Sequence, residues 1–175
     1  QIRKPLRLGM VAAVQTIRQA SKNQIIFSMI ILSSASSFLV GNAYQAQMPE
    51  FATYFLPENA GMIYTVLLSS SAAGAIFGGI FLESFSALSP RALTATILAG
   101  LWSLSVILFA ISPHFSVTIF SLFLMGLLQI SFTSMAITLV QLEAPPEERG
   151  KIIGVYNMSL NGLRFGSGIT VGFMG

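Results

Sequence analysis

The sequence has no cysteine and little charge, and both shortages narrow the classes of protein it can belong to. Without a thiol there is no disulfide, no thiolate nucleophile and no cysteine ligand for a metal. Charged residues make up only 9% of the chain, whereas a typical soluble domain carries about 25%. Hydrophobic residues make up 54%. This composition excludes an ordinary soluble domain and is typical of an integral membrane protein.

The few charges are clustered, and they leave long segments with none at all. Uncharged segments lie between Asn23 and Pro49, Asn59 and Leu82, Ala92 and Pro113, and His114 and Leu142. Each reaches the roughly 20 residues that a helix needs to cross a bilayer. We predict an all-α, polytopic transmembrane helical bundle with spans at about 24–48, 60–82, 92–111, 115–142 and 152–175. The last span is cut short, so we expect the chain to be a fragment.

Residues 1–23 form a basic segment before the first span and contain no acidic residue. They carry Arg3, Lys4, Arg7, Arg18 and Lys22. Two interpretations stay open: an amphipathic helix lying on an anionic membrane surface, or a solvated cytoplasmic linker. In the connections between spans, Lys and Arg recur only after the second and fourth spans, which places the N terminus in the cytoplasm. A basic segment beside a span is explained by topology, so nucleic-acid binding is not expected.

Polar and small residues are distributed unevenly among the first four spans. The first span carries Asn42 and Gln45 among several serines, and the fourth carries Gln129 and Thr133 on one stripe. Such stripes suit a water-filled cavity or a helix contact. In the second span Gly74 and Gly78, four residues apart, predict close helix packing. The third span is the least polar, and we expect it to be a support helix that faces lipid.

The fifth span contains a single charge, Arg164, on a polar face with Asn157, Asn161 and Gly168. Arg164 lies roughly 20 Å along the helix from Lys151, past the membrane midplane. One interpretation is that its guanidinium faces a cavity and holds an anionic substrate group or a carboxylate. The other is that it snorkels to the outer headgroups. The close-packing spacing recurs here in Gly162 with Gly166 and Gly168 with Gly172.

The predicted spans contain no Asp, Glu or His, so they offer no catalytic pair and no metal ligands. We therefore expect no enzyme activity, no metal and no cofactor. The single histidine, His114, is expected in a solvated loop. Tyrosines fall near the span ends, where they are expected as interface anchors; they are Tyr44, Tyr54, Tyr64 and Tyr156.

The loop after the fourth span and the helix that follows carry a recognisable pattern. It consists of Gln141, Pro145, Arg149, Gly150, Gly154, Tyr156, Gly162, Leu163 and Arg164. This block resembles helices ten and eleven of major facilitator superfamily transporters, within the branch of bacterial exporters that includes the enterobactin exporter. A weaker likeness to the superfamily's cytoplasmic motif involves Gly79, Phe81 and Glu83, while Ser84 and Ser86 depart from it.

The resemblance covers nearly the whole chain and implies helices seven to eleven of twelve, in the C-terminal half of a transporter in the bacterial inner membrane. It implies a midplane substrate site between two halves, alternating access, and the third span outside the cavity. The leading hypothesis is an ion-gradient-driven exporter, an antiporter coupled to protons, for a small amphipathic molecule. Its partners would be the lipid bilayer and the missing N-terminal half. The alternative is a membrane-embedded structural or partner subunit that transports nothing. The candidate cavity residues are Asn42, Gln45, Gln129, Thr133, Asn157, Asn161 and Arg164.

Overall fold

The computed structural model describes residues 14, 16–40, 43–84 and 90–162, with only the backbone given for residues 43, 83, 84 and 162. The helices are α1 (Gln24–Leu39), α2 (Ala43–Phe55), a 3-10 turn (Pro57–Asn59), α3 (Ala60–Ser84), α4 (Ala92–Ile111), α5 (Phe115–Glu143) and α6 (Arg149–Gly162). No strand occurs within these ranges. The all-α fold class is confirmed.

Four helical stretches are long and apolar enough to cross a membrane. They are Gln24–Phe55, which joins α1 and α2, then Pro57–Leu82, Ala92–Ile111 and Phe115–Glu143. The described part of α6 is shorter than a span needs. The predicted remainder of the fifth span, residues 163–175, lies outside the described residues, as do residues 1–13 of the basic segment.

The helix at the end of the first span continues further than the charge pattern indicates. A loop was expected from Pro49 onward, but α2 runs through Pro49 to Phe55. Proline removes one backbone hydrogen bond, which membrane helices tolerate because neighbouring helices and hydroxyls compensate. In α2 the Thr53 hydroxyl donates to the Pro49 carbonyl at 3.0 Å. Glu50 therefore lies on a helix and not in a loop.

The start of α1 is fixed by Asn23, whose side chain caps the helix. Its amide oxygen accepts from the backbone N–H groups of Ile25 at 3.0 Å and Ile26 at 3.3 Å. Its amide nitrogen donates to Glu143 Oε2 at 3.1 Å, and Gln19 donates in the same way to Glu148 Oε1 at 2.8 Å. We call this end of the bundle the Asn23 end. Here the basic segment before α1, which we also call the lead-in segment, contacts the end of α5 and the α5–α6 connection.

The opposite end, which we call the His114 end, is held by aromatic contacts. The rings of Phe51 and Phe109 have centroids 4.6 Å apart, and those of Phe55 and Phe115 lie 5.3 Å apart. Offset and edge-to-face pairs at these distances are favourable beyond the area they bury. They tie α2 to both sides of the α4–α5 turn.

Helix α5 is the centre of the bundle. It packs against α1, α3, α4 and α6, and 44% of its membrane-length window is buried, the largest share among the four candidate spans. Leu122, Met125 and Phe132 are almost fully enclosed. The other helices are therefore arranged around α5.

Helices α3 and α5 approach each other closely, and their contact depends on glycine. A methyl group at Gly74 would overlap the carbonyl oxygen of Phe123, and one at Gly78 would lie 2.6 Å from that of Leu127. On the other side, a methyl group at Gly126 would overlap the Ser71 carbonyl oxygen. The Ser70 hydroxyl donates across the same contact to the Ile119 carbonyl at 2.8 Å. Three glycines thus let two backbones touch, as membrane helices commonly do.

Helix α4 has one packed face and one exposed apolar face. Trp102 is buried, and its ring is stacked on Phe132 of α5 with centroids 6.2 Å apart. The outer stripe, which we call the α4 lipid stripe, is exposed and apolar; it consists of Leu93, Ile97, Leu101, Leu104, Ile107 and Ile111. Helix α3 is less buried still, at 17% of its window against 28% for α4. Helix α4, the least polar of the predicted spans, is therefore more buried than α3.

Candidate functional site

Two predicted site residues, Gln45 on α2 and Gln129 on α5, are brought together by a third side chain. The Tyr44 hydroxyl donates to Gln129 Oε1 at 3.5 Å, and Gln45 Nε2 donates to the Tyr44 hydroxyl at 3.5 Å. These distances are at the long limit for a hydrogen bond, so each bond is weak. Tyr44 is buried, whereas Gln45 is exposed and Gln129 half-buried. The chain of contacts leads from the interior of the bundle to its surface.

Thr133 lies one turn along α5 from Gln129 and is satisfied within its own helix. Its hydroxyl donates to the Gln129 carbonyl at 2.8 Å, the bond that threonines in helices commonly make. The oxygen remains available as an acceptor. Gln129 and Thr133 therefore present acceptor atoms on one half-buried stripe of α5.

Asn157 and Asn161 lie on one face of α6, and both are exposed. Asn161 Nδ2 donates to the Asn157 carbonyl at 3.0 Å, which leaves its amide oxygen and the whole Asn157 amide without a described partner. No hydrogen bond among the described residues joins them to Gln45 or Gln129. The structure thus places the predicted site residues in two groups, one on α2 and α5 and one on α6.

A buried polar link between α1 and α6 was not predicted from the sequence. The Ser33 hydroxyl donates to the Tyr156 hydroxyl at 3.1 Å, and neither side chain is exposed to solvent. Tyr44 and Tyr156 were both expected as interface anchors, and for both that interpretation is wrong because they are buried.

Several predicted residues lie outside the described part of the chain. They are Asn42, Arg164, Gly166, Gly168 and Gly172. Of the loop-motif residues, Gly79 lies within α3 with open space beside it, and Arg149 and Gly150 form the first turn of α6. Only the backbone is described for Glu83 and for Gly162. The cavity role of Arg164 therefore stays a prediction.

A comparison with protein-family models supplies the family. The model of the Major Facilitator Superfamily matches residues 2–168, nearly the full chain. The chain belongs to this superfamily. No curated protein and no solved structure matches it.

Membership of the Major Facilitator Superfamily agrees with the composition and the candidate spans, and it makes the chain part of a membrane transporter family. Within the described ranges no cluster of three or more His, Asp or Glu side chains has the geometry to hold a metal ion. What the described site offers instead is a set of neutral amides and hydroxyls. Such groups bind a polar ligand by donating and accepting hydrogen bonds.

Two buried polar atoms of this superfamily member have no hydrogen-bond partner among the described residues: the indole nitrogen of Trp102 and the hydroxyl of Ser131. They belong to α4 and α5, which pack against each other. An unpaired buried polar group costs about 1–3 kcal/mol. The α4–α5 contact therefore depends on apolar packing.

Proposed function

We propose that this chain is part of a secondary active transporter that exports a small amphipathic molecule by alternating access. In this proposal it forms helices seven to eleven, in the C-terminal half, and belongs to the exporter branch that its α5–α6 block resembles. The observation that carries the proposal is a set of exposed or half-buried amides: Gln45 and Gln129 lie on helices of candidate spans, and Asn157 and Asn161 share one face of α6. We call the set of Gln45, Gln129, Asn157 and Asn161 the amide face.

The amide face is hard to reconcile with contact to lipid. Moving an amide from water into an apolar medium without a partner costs several kcal/mol, and a bilayer core supplies no partner. The face therefore has to meet water or another part of the protein. Two transporter halves enclosing a midplane cavity provide both, and the superfamily match supports that arrangement.

Arg164 extends the amide face in this proposal. It follows Asn157 and Asn161 by seven and three residues, so a continued helix places it on the same side. A guanidinium stays charged and presents paired donors to a carboxylate or phosphate. We infer that Arg164 holds either an anionic group of the substrate or a carboxylate of the other half. The predicted spans carry no carboxylate, so the proton that drives export would be carried by residues of that half or by a loop end such as Glu83.

The distribution of basic residues supports the orientation. The basic residues near helix ends lie on the Asn23 side; they are Arg18, Lys22, Arg91, Arg149 and Lys151. The His114 side carries Glu50 on the second half of α2, Glu58 and His114, but no Lys or Arg. By the positive-inside rule the Asn23 end faces the cytoplasm. We propose the bacterial inner membrane as the location.

The test is efflux from cells that express the intact protein and are loaded with a fluorescent amphipathic dye. We expect Arg164→Ala to slow efflux at least tenfold, because the cavity loses its fixed charge, with no change in protein abundance in the membrane. Arg18→Ala, on the lead-in segment, is the matched control and should leave the rate within twofold. Unchanged efflux in Arg164→Ala would reduce Arg164 to a structural or snorkelling residue.

A second experiment, in reconstituted vesicles, separates a transporter from a partner subunit that transports nothing. The native protein reconstituted in vesicles should move the dye when a proton gradient is imposed and stop when an uncoupler collapses it. If the dye does not cross the vesicle membrane under any gradient, the amide face is a helix contact in a membrane assembly and the chain is not part of a transporter.

A further inference from the structure

A cavity at the His114 end lies between α2 and the α4–α5 turn, away from the amide face. Its volume is about 290 Å³. The α2 side contributes Glu50, Phe51 and Tyr54, and the other side contributes Ala110, Ile111 and Ser112 with Pro113. One carboxylate and two aromatic rings thus face a mainly apolar wall.

The charge of this cavity is negative and is not neutralised nearby. Glu50 is exposed and has no ion-pair partner among the described residues. No Lys or Arg occurs in residues 23–90 or 92–148, and Arg91 precedes α4 at the Asn23 end. A carboxylate that lines one cavity with a phenylalanine ring and a tyrosine ring is a favourable environment for an organic cation, while an anion would be repelled.

The apolar side of the cavity continues onto the α4 lipid stripe. Ile111 lines the cavity and is 71% exposed, and Ile107 and Leu104 follow it along the same face at 55% and 61%. Since residues four and seven apart share one face of a helix, an alkyl chain can follow this stripe towards the membrane core.

We propose that this cavity binds the head of a cationic amphiphile, a primary or quaternary ammonium, with its alkyl chain along the α4 lipid stripe. Glu50 provides the charge, Phe51 and Tyr54 provide the aromatic faces, and Ile111 begins the path of the tail. The ammonium belongs either to a membrane lipid, as in phosphatidylethanolamine, or to a free amphiphile. The site is separate from the amide face and does not depend on the direction of transport.

The probe is decyltrimethylammonium, titrated calorimetrically into the intact protein in dodecyl maltoside. We expect Glu50→Gln to weaken binding at least tenfold and Tyr54→Leu about threefold to tenfold, since the former removes the charge and the latter one ring face. Glu58→Gln is the matched control, because Glu58 is an exposed carboxylate at the same end that does not line the cavity. It should leave the affinity within twofold.

Three results would overturn the proposal: equal affinity in Glu50→Gln and the native protein, an equal loss in Glu58→Gln, or decyl sulfate binding as tightly as the cation. Tetramethylammonium should bind more weakly than the decyl compound, and equal binding would refute the path of the tail. A competition arm then identifies the source of the ammonium. Weakening of probe binding by phosphatidylethanolamine but not by phosphatidylglycerol supports a lipid headgroup, and no competition by either supports a free amphiphile.

Discussion

At the scale of single residues, the hydrogen bond between Ser33 and Tyr156 joins α6 to α1. Both hydroxyls are buried, so removing one leaves the other without a partner. We expect Tyr156→Phe and Ser33→Ala each to lower the free energy of unfolding by about 0.5–1.5 kcal/mol. The measurement is denaturant unfolding of the protein in detergent.

The double variant distinguishes this bond from general packing. If the two hydroxyls act through each other, the two single losses will not add, and the coupling energy will be about 0.5–1 kcal/mol, in the range found between membrane helices. Strictly additive losses would mean that each hydroxyl contributes through its own surroundings. If both single variants still transport, the pair contributes to stability and not to transport.

Buried hydrogen-bonded pairs such as Ser33 and Tyr156 are difficult to predict from the sequence. The helical spacing of Asn157 and Asn161 is visible in the chain, and both do lie on one face of α6. The burial of Tyr44 and Tyr156 is not visible, because it depends on which neighbouring helix covers them. A tyrosine near a span end fits both an interface anchor and a buried hydrogen-bonding residue, and only the packing of α5 and α1 decides between the two.

At the scale of helices, the close contact between α3 and α5 restricts which substitutions the chain tolerates there. We expect Gly74→Ala to lower the free energy of unfolding by about 1–3 kcal/mol, because the added methyl group forces two backbones apart. Gly100→Ala on α4 is the matched control, since a methyl group there meets nothing within 4 Å. It should be neutral or slightly stabilising.

Thermal unfolding in detergent measures the difference between these two variants. Equal midpoints for Gly74→Ala and Gly100→Ala would contradict the close approach of α3 and α5. The spacing of Gly74 and Gly78 in the sequence indicates a packing face, but Gly126 is a lone glycine in α5 and carries no such pattern. Its role depends on the opposing Ser71 backbone, which no local sequence signal identifies.

The positions of the helix ends are also difficult to predict from the sequence. The end of α1 at Leu39 and the new start of α2 at Ala43 flank Gly41 and Asn42, residues outside the described ranges. Charge-free length predicted one span here, and the extent of α2 past Pro49 differs because proline is tolerated where neighbouring helices compensate. Composition therefore predicts that a segment is helical and membrane-length more reliably than it predicts where the helix ends.

At the scale of the whole molecule, the fold class and the family could both be predicted from the chain. Sparse, clustered charge predicts a helical membrane protein, and the block from Gln141 to Arg164 resembles the superfamily that the family model then matches. The site could be predicted only as a set of candidates. The amides lie on different helices, and no hydrogen bond among the described residues joins Asn157 and Asn161 of α6 to Gln45 or Gln129.

The central claim is that the amide face borders water and not lipid, and thiol labelling tests it most directly. Because the sequence has no cysteine, Asn161→Cys and, as the matched exposed control, Leu104→Cys each introduce a single thiol. Only a water-accessible thiol ionises and reacts with a charged methanethiosulfonate reagent. In membranes carrying the intact protein, we predict that Asn161→Cys is labelled at least tenfold faster than Leu104→Cys. Equal protection of both thiols would contradict an aqueous cavity and with it the transport proposal.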